Sequence, residues 1–480
     1  MAYTYKRRIE NIEISFFTDV LKEYGYNIRA LDLFKKIGEL SKKSGFKAFI
    51  VGGFVRDLII YDIKRQKNRN INNIMNGLYK KDNVLDIDFS IEGDATIIAG
   101  IIKNEIKKNV VSIKIHKRFK TAKAVFSLNG RLLTIDLATA RIETYTCPGA
   151  LPKVSFADLR SDISRRDFTI NTIALSLDPG EFLSIKDHSC GLNDIYEKKL
   201  RILHPLSFID DPTRIFRAVR FEKRFGFTIE PETKRHLLQA VSDDAISSVS
   251  GKRIMTELKL ILKEKKPAVY FERLEELGIL RAISAELRFD EENKRVFKNI
   301  SSFFKINKDF YLDIDPAVFY MAGLLFGLPV SNIGRILKRL NIGENIEKRL
   351  NLIYSDYNSL LLIKNSKNLQ KMKKSEVYST LKRFDKYSLL FFVLKLFLDN
   401  PEDRIIKRLI MIYINKLSKI LPLIGGSDLK SLKIAEGPLY GEILNRVKLL
   451  KIDGKLKTKK EELFYVKNNF TGSASVTGHI

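Results

Sequence analysis

The spacing of apolar residues changes once along this chain, and the change divides it in two. From Phe49 to about Ala140 apolar positions either alternate with polar ones or form short blocks, the mark of strands. Phe49-Ile50-Val51, Val84–Ile91, Val110–Ile115, Ala122–Leu128 and Arg131–Ala138 are the clearest runs. Ahead of them residues 1–45 read as helical, with Ala30, Leu31, Leu33, Phe34 and Ile37 on one stripe. Gly93-Asp94 opens a helix over about Ala95–Lys107. Beyond about residue 192 the two-residue period almost vanishes. Leu, Ile and Phe then recur every three or four positions with Lys and Arg between them, which predicts amphipathic helices. The pattern predicts an α/β head built on a sheet of mixed strand direction, followed by a long all-helical remainder. Three stretches read as loose: the basic run Lys64–Asn70, the lysine-rich Lys364–Lys374, and the Gly/Ser/Thr-rich Thr471–Ile480, expected to fray. There is no internal repeat.

The chain has 480 residues, enough for two to four domains. Lys and Arg number 85 against 57 Asp and Glu, a formal charge of +28. A folded protein this basic ordinarily meets a polyanion, nucleic acid before membrane. Lys, Ile and Asn are abundant throughout, so a compositional bias is the competing explanation. Cys147 and Cys190 form no Cys-x-x-Cys pair, so neither a disulfide framework nor a zinc site is suggested, and a reducing compartment fits. The most apolar run, Leu389–Leu398, is too short to cross a bilayer and carries Lys395. It is expected to be a buried helix. No signal-peptide segment opens the chain, and the expectation is a soluble cytoplasmic protein with no membrane partner.

The candidate chemistry lies in the head. Asp86 and Asp88 stand one residue apart in Val84-Leu85-Asp86-Ile87-Asp88-Phe89. A strand sends alternate side chains to one face, so the two carboxylates project side by side. Held that close they repel unless a cation lies between them. Upstream, Phe49-Ile50-Val51 runs into Gly52-Gly53-Phe54-Val55-Arg56-Asp57. Glycines let a backbone approach a phosphate closely, and Arg56 adds a forked cationic donor. Strand, glycine pair, Arg and then Asp-x-Asp read as a site for a metal-bound nucleoside triphosphate.

Three further segments extend it. Asp136, among apolar residues in Arg131–Ala138, needs a partner or a metal. It is either a third acidic group beside Asp86 and Asp88, binding metal or accepting the attacking hydroxyl's proton, or a strand-end Asp paired with Arg141. If Arg165-Arg166-Asp167-Phe168-Thr169-Ile170-Asn171 is helical, Arg166 at its start is placed for a triphosphate and Asn171 lies near Asp167 and a ribose hydroxyl; the alternative is a solvated helix start. In Asp211-Pro212-Thr213-Arg214-Ile215-Phe216-Arg217-Ala218-Val219-Arg220, Asp211 is the expected N-cap and Pro212 the first helical residue. Arg214, Arg217 and Arg220 share a face, read either as solvated or as an edge that reads a base. An Asp accepts from an exocyclic amine and an Arg donates to the adjoining ring acceptor, a pair that cytosine and adenine offer.

These segments, with Asp136-Leu137-Ala138-Thr139-Ala140-Arg141, occur in the order found in class II tRNA nucleotidyltransferases and the related poly(A) polymerases, which the chain resembles over roughly residues 45–260. The resemblance implies a polymerase-β-like nucleotidyltransferase head at residues 1–180. It implies a helical neck at 181–265, a body at 266–370 and a tRNA-holding tail at 371–470, ahead of a disordered 471–480. It implies Mg²⁺ on Asp86 and Asp88 and a triphosphate near Gly52, Gly53 and Arg56, supported by Arg166. Asn171 would sit by the ribose, and Asp211, Arg214, Arg217 and Arg220 at the base. The implied reaction is untemplated addition of CCA, or of its terminal A, to tRNA from CTP and ATP. Ala140–Tyr145, Pro148–Val154 and Phe89–Asp94 look closest to the A-adding branch. A poly(A) polymerase and a catalytically silent RNA-binding homologue are the alternatives. The long basic stretch between Arg56 and Asp86 departs from the family pattern and reads as a solvated insertion. No HD phosphohydrolase motif is seen in the helical part, and no added phosphatase or phosphodiesterase activity is expected.

Overall fold

The structure is a computed structural model and describes residues 10–26, 28–66, 85–106, 109–144, 153–307, 314–365, 369–396 and 401–471. The basic stretch from residue 67 to 84, Cys147 with its Pro-Gly neighbours, and residues 472–480 lie outside the described residues.

Among the described residues nine strands follow one another in the head: β1 (Lys47–Val51), β2 (Leu85–Glu92), β3 (Val110–His116), β4 (Thr121–Leu128), β5 (Arg131–Thr139), β6 (Arg141–Thr144), β7 (Lys153–Phe156), β8 (Ala174–Ser176) and β9 (Ile185–Lys186). Seven of them form one sheet in the order β3-β4-β5-β2-β1-β8-β9, while β6 and β7 make a separate hairpin. β2 runs parallel to β5 and antiparallel to β1, so the direction is mixed, as the strand pattern predicts.

The two faces of this sheet have different fates, set by alternation along each strand. Ile50, Ile87, Phe89, Ile91, Ile135, Leu137, Ala124 and Phe126 are buried on one face. Helices Ile28–Lys43 and Ala95–Glu105 supply its apolar cover, with Phe34 edge-on to Phe89 at 5.8 Å and Ile98 and Ile102 buried. Asp94 caps the second helix by accepting from Thr96 N at 2.9 Å, where Gly93-Asp94 announces it. On the other face Phe49, Val51 and Ala174 pack against Leu159 and Ile163 of the short helix Leu159–Ser164. That helix covers the β1/β8 side and reaches β2 at Ser90, whose Oγ donates to its Asp162 at 3.1 Å.

Two expectations change here. Residues 165–174 are not one helix: Asp158 starts the helix earlier by accepting from Ser161 N, Arg165 closes it, and Thr169–Asn171 is a single 3-10 turn before β8. The β-branched Thr169, Ile170, Thr172 and Ile173 disfavour continuing the helix. Arg166 therefore follows a helix end instead of opening a helix. Strand pairing also persists past residue 192, in the short parallel pair Lys199–Leu200 with Thr228–Ile229. Elsewhere in the remainder helices prevail.

The chain divides into two compact units, Met1–Leu258 with Glu276–Ile283, and Lys259–Glu275 with Ser284–Ile480. The second is helical, and Phe271, Phe289, Phe297 and Tyr320 stack edge-on or tilted at its centre. Lys386–Lys395 is the buried helix expected of the most apolar run. Its Lys395 is enclosed, paired with Glu292 and set over the Phe326 ring. Of the lysine-rich 364–374, residues 366–368 lie outside the described residues; Lys364 ends a 21-residue helix and pairs with buried Asp403 at 2.6 Å, and Lys374 begins another helix. No described helix is long and apolar enough to cross a membrane.

Candidate active site

β1 ends in Gly52, whose φ of +80° lies where side-chain-bearing residues are strained. Gly53 then begins the helix Gly53–Gln66, so the chain turns sharply from strand to helix N-terminus, a geometry suited to anions. Space confirms the need for glycine: a methyl group on Gly52 would lie 3.2 Å from Arg166 Nη1 and 3.3 Å from Asp88 Oδ2. The glycine turn, a guanidinium and a strand carboxylate thus meet at one point.

Asp88 pairs in register with Val51 on one side and with Asp136 on the other. Asp86, two residues earlier, stands opposite Thr134. The three carboxylates accordingly share one sheet face, beyond the edge of the covering helix, and Asp88 is exposed while Asp86 and Asp136 are half-buried. The cation recorded beside Asp136 is Lys123, its cross-strand neighbour, at 3.1 Å. Arg141, the other partner considered for Asp136, donates its backbone N–H to Asp162 at 3.4 Å. Among the described residues no three His, Cys, Asp or Glu groups gather into a metal cage. Mg²⁺ ordinarily keeps several waters and binds through one or two carboxylates plus substrate phosphates, so the open strand pair Asp86 and Asp88 is a fitting donor set.

Arg166 owes its position to Asp162, a buried carboxylate that the sequence reading missed. Asp162 accepts from Arg165 Nη2 at 2.6 Å, Arg166 Nη2 at 3.3 Å and Ser90 Oγ at 3.1 Å. Burial pushes its carboxyl up, but the two guanidinium groups outweigh that and hold it below the usual range. Its spacing four residues before Arg166 at the end of a helix was the available signal.

Arg56 and Asn171 are hydrogen-bonded to each other beside the glycine turn, where a methyl group on Gly53 would lie 3.4 Å from Arg56 Nη2. Arg56 is only 5% exposed. Its Nε and Nη2 donate to Asp57 at 2.8 and 2.7 Å, and its Nη1 donates to Asn171 Oδ1 at 2.6 Å. The guanidinium also lies over the rings of Phe221 and Phe225, 5.1 and 4.5 Å from their centroids. Asn171 passes the chain on by donating Nδ2 to Asp167 Oδ1 at 2.8 Å, and Asp167 Oδ2 receives Arg217 Nε and Nη2 at 2.8 and 2.5 Å. The result is a buried polar frame, Asp57–Arg56–Asn171–Asp167–Arg217, beneath the glycine turn.

The arginine row is likewise committed. The helix Thr213–Phe225 starts one residue later than expected, yet Asp211 still caps it, its Oδ1 accepting from Thr213 N at 3.1 Å and Thr213 Oγ1 at 2.6 Å. The same oxygen accepts from Arg253 at 2.8 Å. Arg214 and Arg220 are buried, which removes the solvated-face reading. Arg214 donates to Ser207 Oγ at 2.6 Å and to the Arg165 carbonyl at 2.7 Å, tying the helix to the segment that carries Arg166. Glu257, also missed, is buried beside this row, with Oε2 unpartnered; burial raises its carboxyl despite the attraction of Arg217 and Arg220. Arg253 and Glu257 lie one turn apart on the helix Gly251–Leu262, which the motif reading did not reach.

Comparison with known proteins shows the family to which this fold belongs. Residues 48–201 match the family model of the Poly A polymerase head domain, and residues 226–289 the model described as a probable RNA and SrmB-binding site of polymerase A. The A-adding tRNA nucleotidyltransferase of Geobacter sulfurreducens is 32% identical over 90% of this chain, which spans only 46% of that protein. The A-adding tRNA nucleotidyltransferase of Halalkalibacterium halodurans is 28% identical over 92% of both chains. Among solved structures, an apo CCA-adding enzyme superposes with a TM-score of 0.73 at 28% identity, covering 94% of this chain and 98% of its own. The CCA-adding enzyme of Thermotoga maritima in complex with tRNA gives 0.68 at 27% identity, covering 94% and 97%.

Proposed function

The chain belongs to the family of the class II tRNA nucleotidyltransferases and poly(A) polymerases, and we propose that it extends the 3′ end of tRNA from a nucleoside triphosphate without a template. The addition of the terminal A is the step we assign, because the relatives from Geobacter and Halalkalibacterium both carry the A-adding name. The observation that carries the reading is the juxtaposition of Asp88 and Asp136 in strand register beside Gly52 and Arg166.

The chemistry follows from the arrangement. The glycine turn admits the triphosphate, and Arg166 donates to its oxygens while Asp162 fixes the guanidinium plane. Asp86 and Asp88 would hold Mg²⁺, which when bound supplies positive charge to the triphosphate and to the attacking and departing oxygens. The tRNA 3′ oxygen bonds to the α-phosphorus, the bond to the bridging oxygen breaks, and pyrophosphate leaves. Asp136 lies beside Asp88 to take the hydroxyl proton. Asp211 and the arginine row stand at the base, with Arg214 setting the position of the Arg165–Arg166 segment.

The test offers the protein, with Mg²⁺, a tRNA ending in CC, a tRNA lacking CCA, and an unstructured RNA, each with labelled ATP or CTP. One A on the CC-ending tRNA is expected. Long A tails on the unstructured RNA overturn the assignment in favour of a poly(A) polymerase, and CTP incorporation extends it to CCA. Asp88→Asn is expected to lower incorporation at least about 1000-fold, roughly 4 kcal/mol in barrier height, with tRNA binding retained. Undiminished incorporation in that variant would remove Asp88 from the chemistry.

A further inference from the structure

The open sheet face continues past the carboxylates. Asp88 is in register with Asp136, Asp136 with Lys123 of β4, and Lys123 with Lys114 of β3. Partners directly across strands project to the same face. Four adjacent strands thus carry a row of two carboxylates followed by two ammonium groups, at about 5 Å per strand. Both lysines are exposed. At the other end of the row lie β1, Gly52 and Arg166.

This order has a stereochemical consequence. Displacement at phosphorus places the attacking and leaving oxygens roughly in line, on opposite sides of the transferred group. With the departing pyrophosphate at Gly52 and Arg166, the attacking 3′ hydroxyl arrives from the β5–β4 side. The RNA strand behind that hydroxyl then crosses Lys123 and Lys114. We propose that these two lysines bind the phosphodiester backbone of the RNA 3′ end immediately behind the reacting nucleotide. The inference rests on the nucleotidyl-transfer reading and adds to it where the acceptor strand lies.

Two features suit the lysines to this task. The Lys123–Asp136 pair is half open to water, with side-chain exposures of 46% and 43%, and pairs so exposed hold together weakly. Lys123 can exchange Asp136 for a phosphate at little cost, which frees Asp136 for the hydroxyl. An ammonium on a flexible stem also accepts a phosphate without reading the base beside it, as a backbone contact requires.

The experiment is steady-state addition of A to a CC-ending tRNA by the full chain carrying Lys114→Ala, Lys123→Ala, both, or Lys123→Arg. Each alanine variant is expected to raise the KM for tRNA at least about fivefold, and the double variant further, while the KM for ATP holds. The slope of log KM for tRNA against log salt should become shallower by about 0.7 for each lysine removed, and Lys123→Arg should restore most of the loss. A fall in kcat with the tRNA KM and salt slope unmoved would make Lys123 a positioning residue for Asp136 alone and overturn the proposal. So would a rise confined to the KM for ATP. A wild-type chain that adds no nucleotide to any RNA would instead sink the parent reading and this contact with it.

Discussion

Gly52 is the residue on which the site's compactness depends, because two opposite charges approach it from different elements. Its φ of +80° costs an L-residue about 1–2 kcal/mol, and a methyl group would press on both Arg166 and Asp88. Gly52→Ala is therefore expected to lower stability by about that amount. Incorporation should fall about 100-fold, the scale of a misplacement of order 1 Å in a catalytic constellation. Urea denaturation and single-turnover addition separate the two effects; an alanine variant with full activity would show that the turn has room to spare. The same residue explains what was legible in the sequence. Strand alternation places Asp86 and Asp88, and a glycine pair after a strand marks a turn, because both are local rules. The burial of Arg56 was not legible because it depends on Phe221 and Phe225, more than 160 residues away, which close over it. Asp162 was missed because its spacing to Arg166 suggests a pair but does not tell a buried one from a solvated one.

At the level of elements, the buried chain from Asp57 to Arg217 joins the glycine-turn helix to the arginine helix through the 3-10 turn Thr169–Asn171. Its central carboxylate, Asp167, is buried, and burial by itself pushes the pKa up; Arg217, the Asn171 amide and the Phe168 N–H outweigh this and hold it low. A carboxyl whose folded pKa lies below its unfolded value of about 3.9 contributes stability that is complete above that value. The contribution is lost as pH falls through the folded pKa. Asp167→Asn should accordingly cost about 3 kcal/mol near neutrality, the range for breaking a buried pair, and progressively less below about pH 4. Urea midpoints from pH 7 down to 2.5 read this directly, and a constant difference across that window would exclude ionisation of Asp167 as the source. Helical spacing foretold the row Arg214, Arg217 and Arg220, but a solvated and a committed arginine have the same spacing. Only the packing partners, Ser207, the Arg165 carbonyl and Asp167, tell them apart.

Across the whole molecule the charge of +28 admits two explanations, a basic composition or a surface fitted to RNA. Within the first compact unit, Arg165, Arg166 and Arg217 are tied to buried carboxylates, whereas Lys114 and Lys123 are exposed on the sheet face that carries Asp88 and Asp136. Cations that neutralise phosphates release counterions, so log affinity falls linearly with log salt, at about 0.7–0.9 per phosphate. Cations that merely raise net charge give a shallow dependence that fades within a Debye length of about 10 Å at 0.1 M salt. The affinity of the full chain for tRNA is thus expected to fall at least about tenfold between 50 and 200 mM salt, as two or three neutralised phosphates require. Filter binding or fluorescence anisotropy across that range measures it, with Lys114→Ala/Lys123→Ala as the reference. A slope near zero would assign the excess charge to composition and leave tRNA to be held by contacts other than phosphate pairing. A steep slope that the double variant does not lessen would put those contacts elsewhere on the chain.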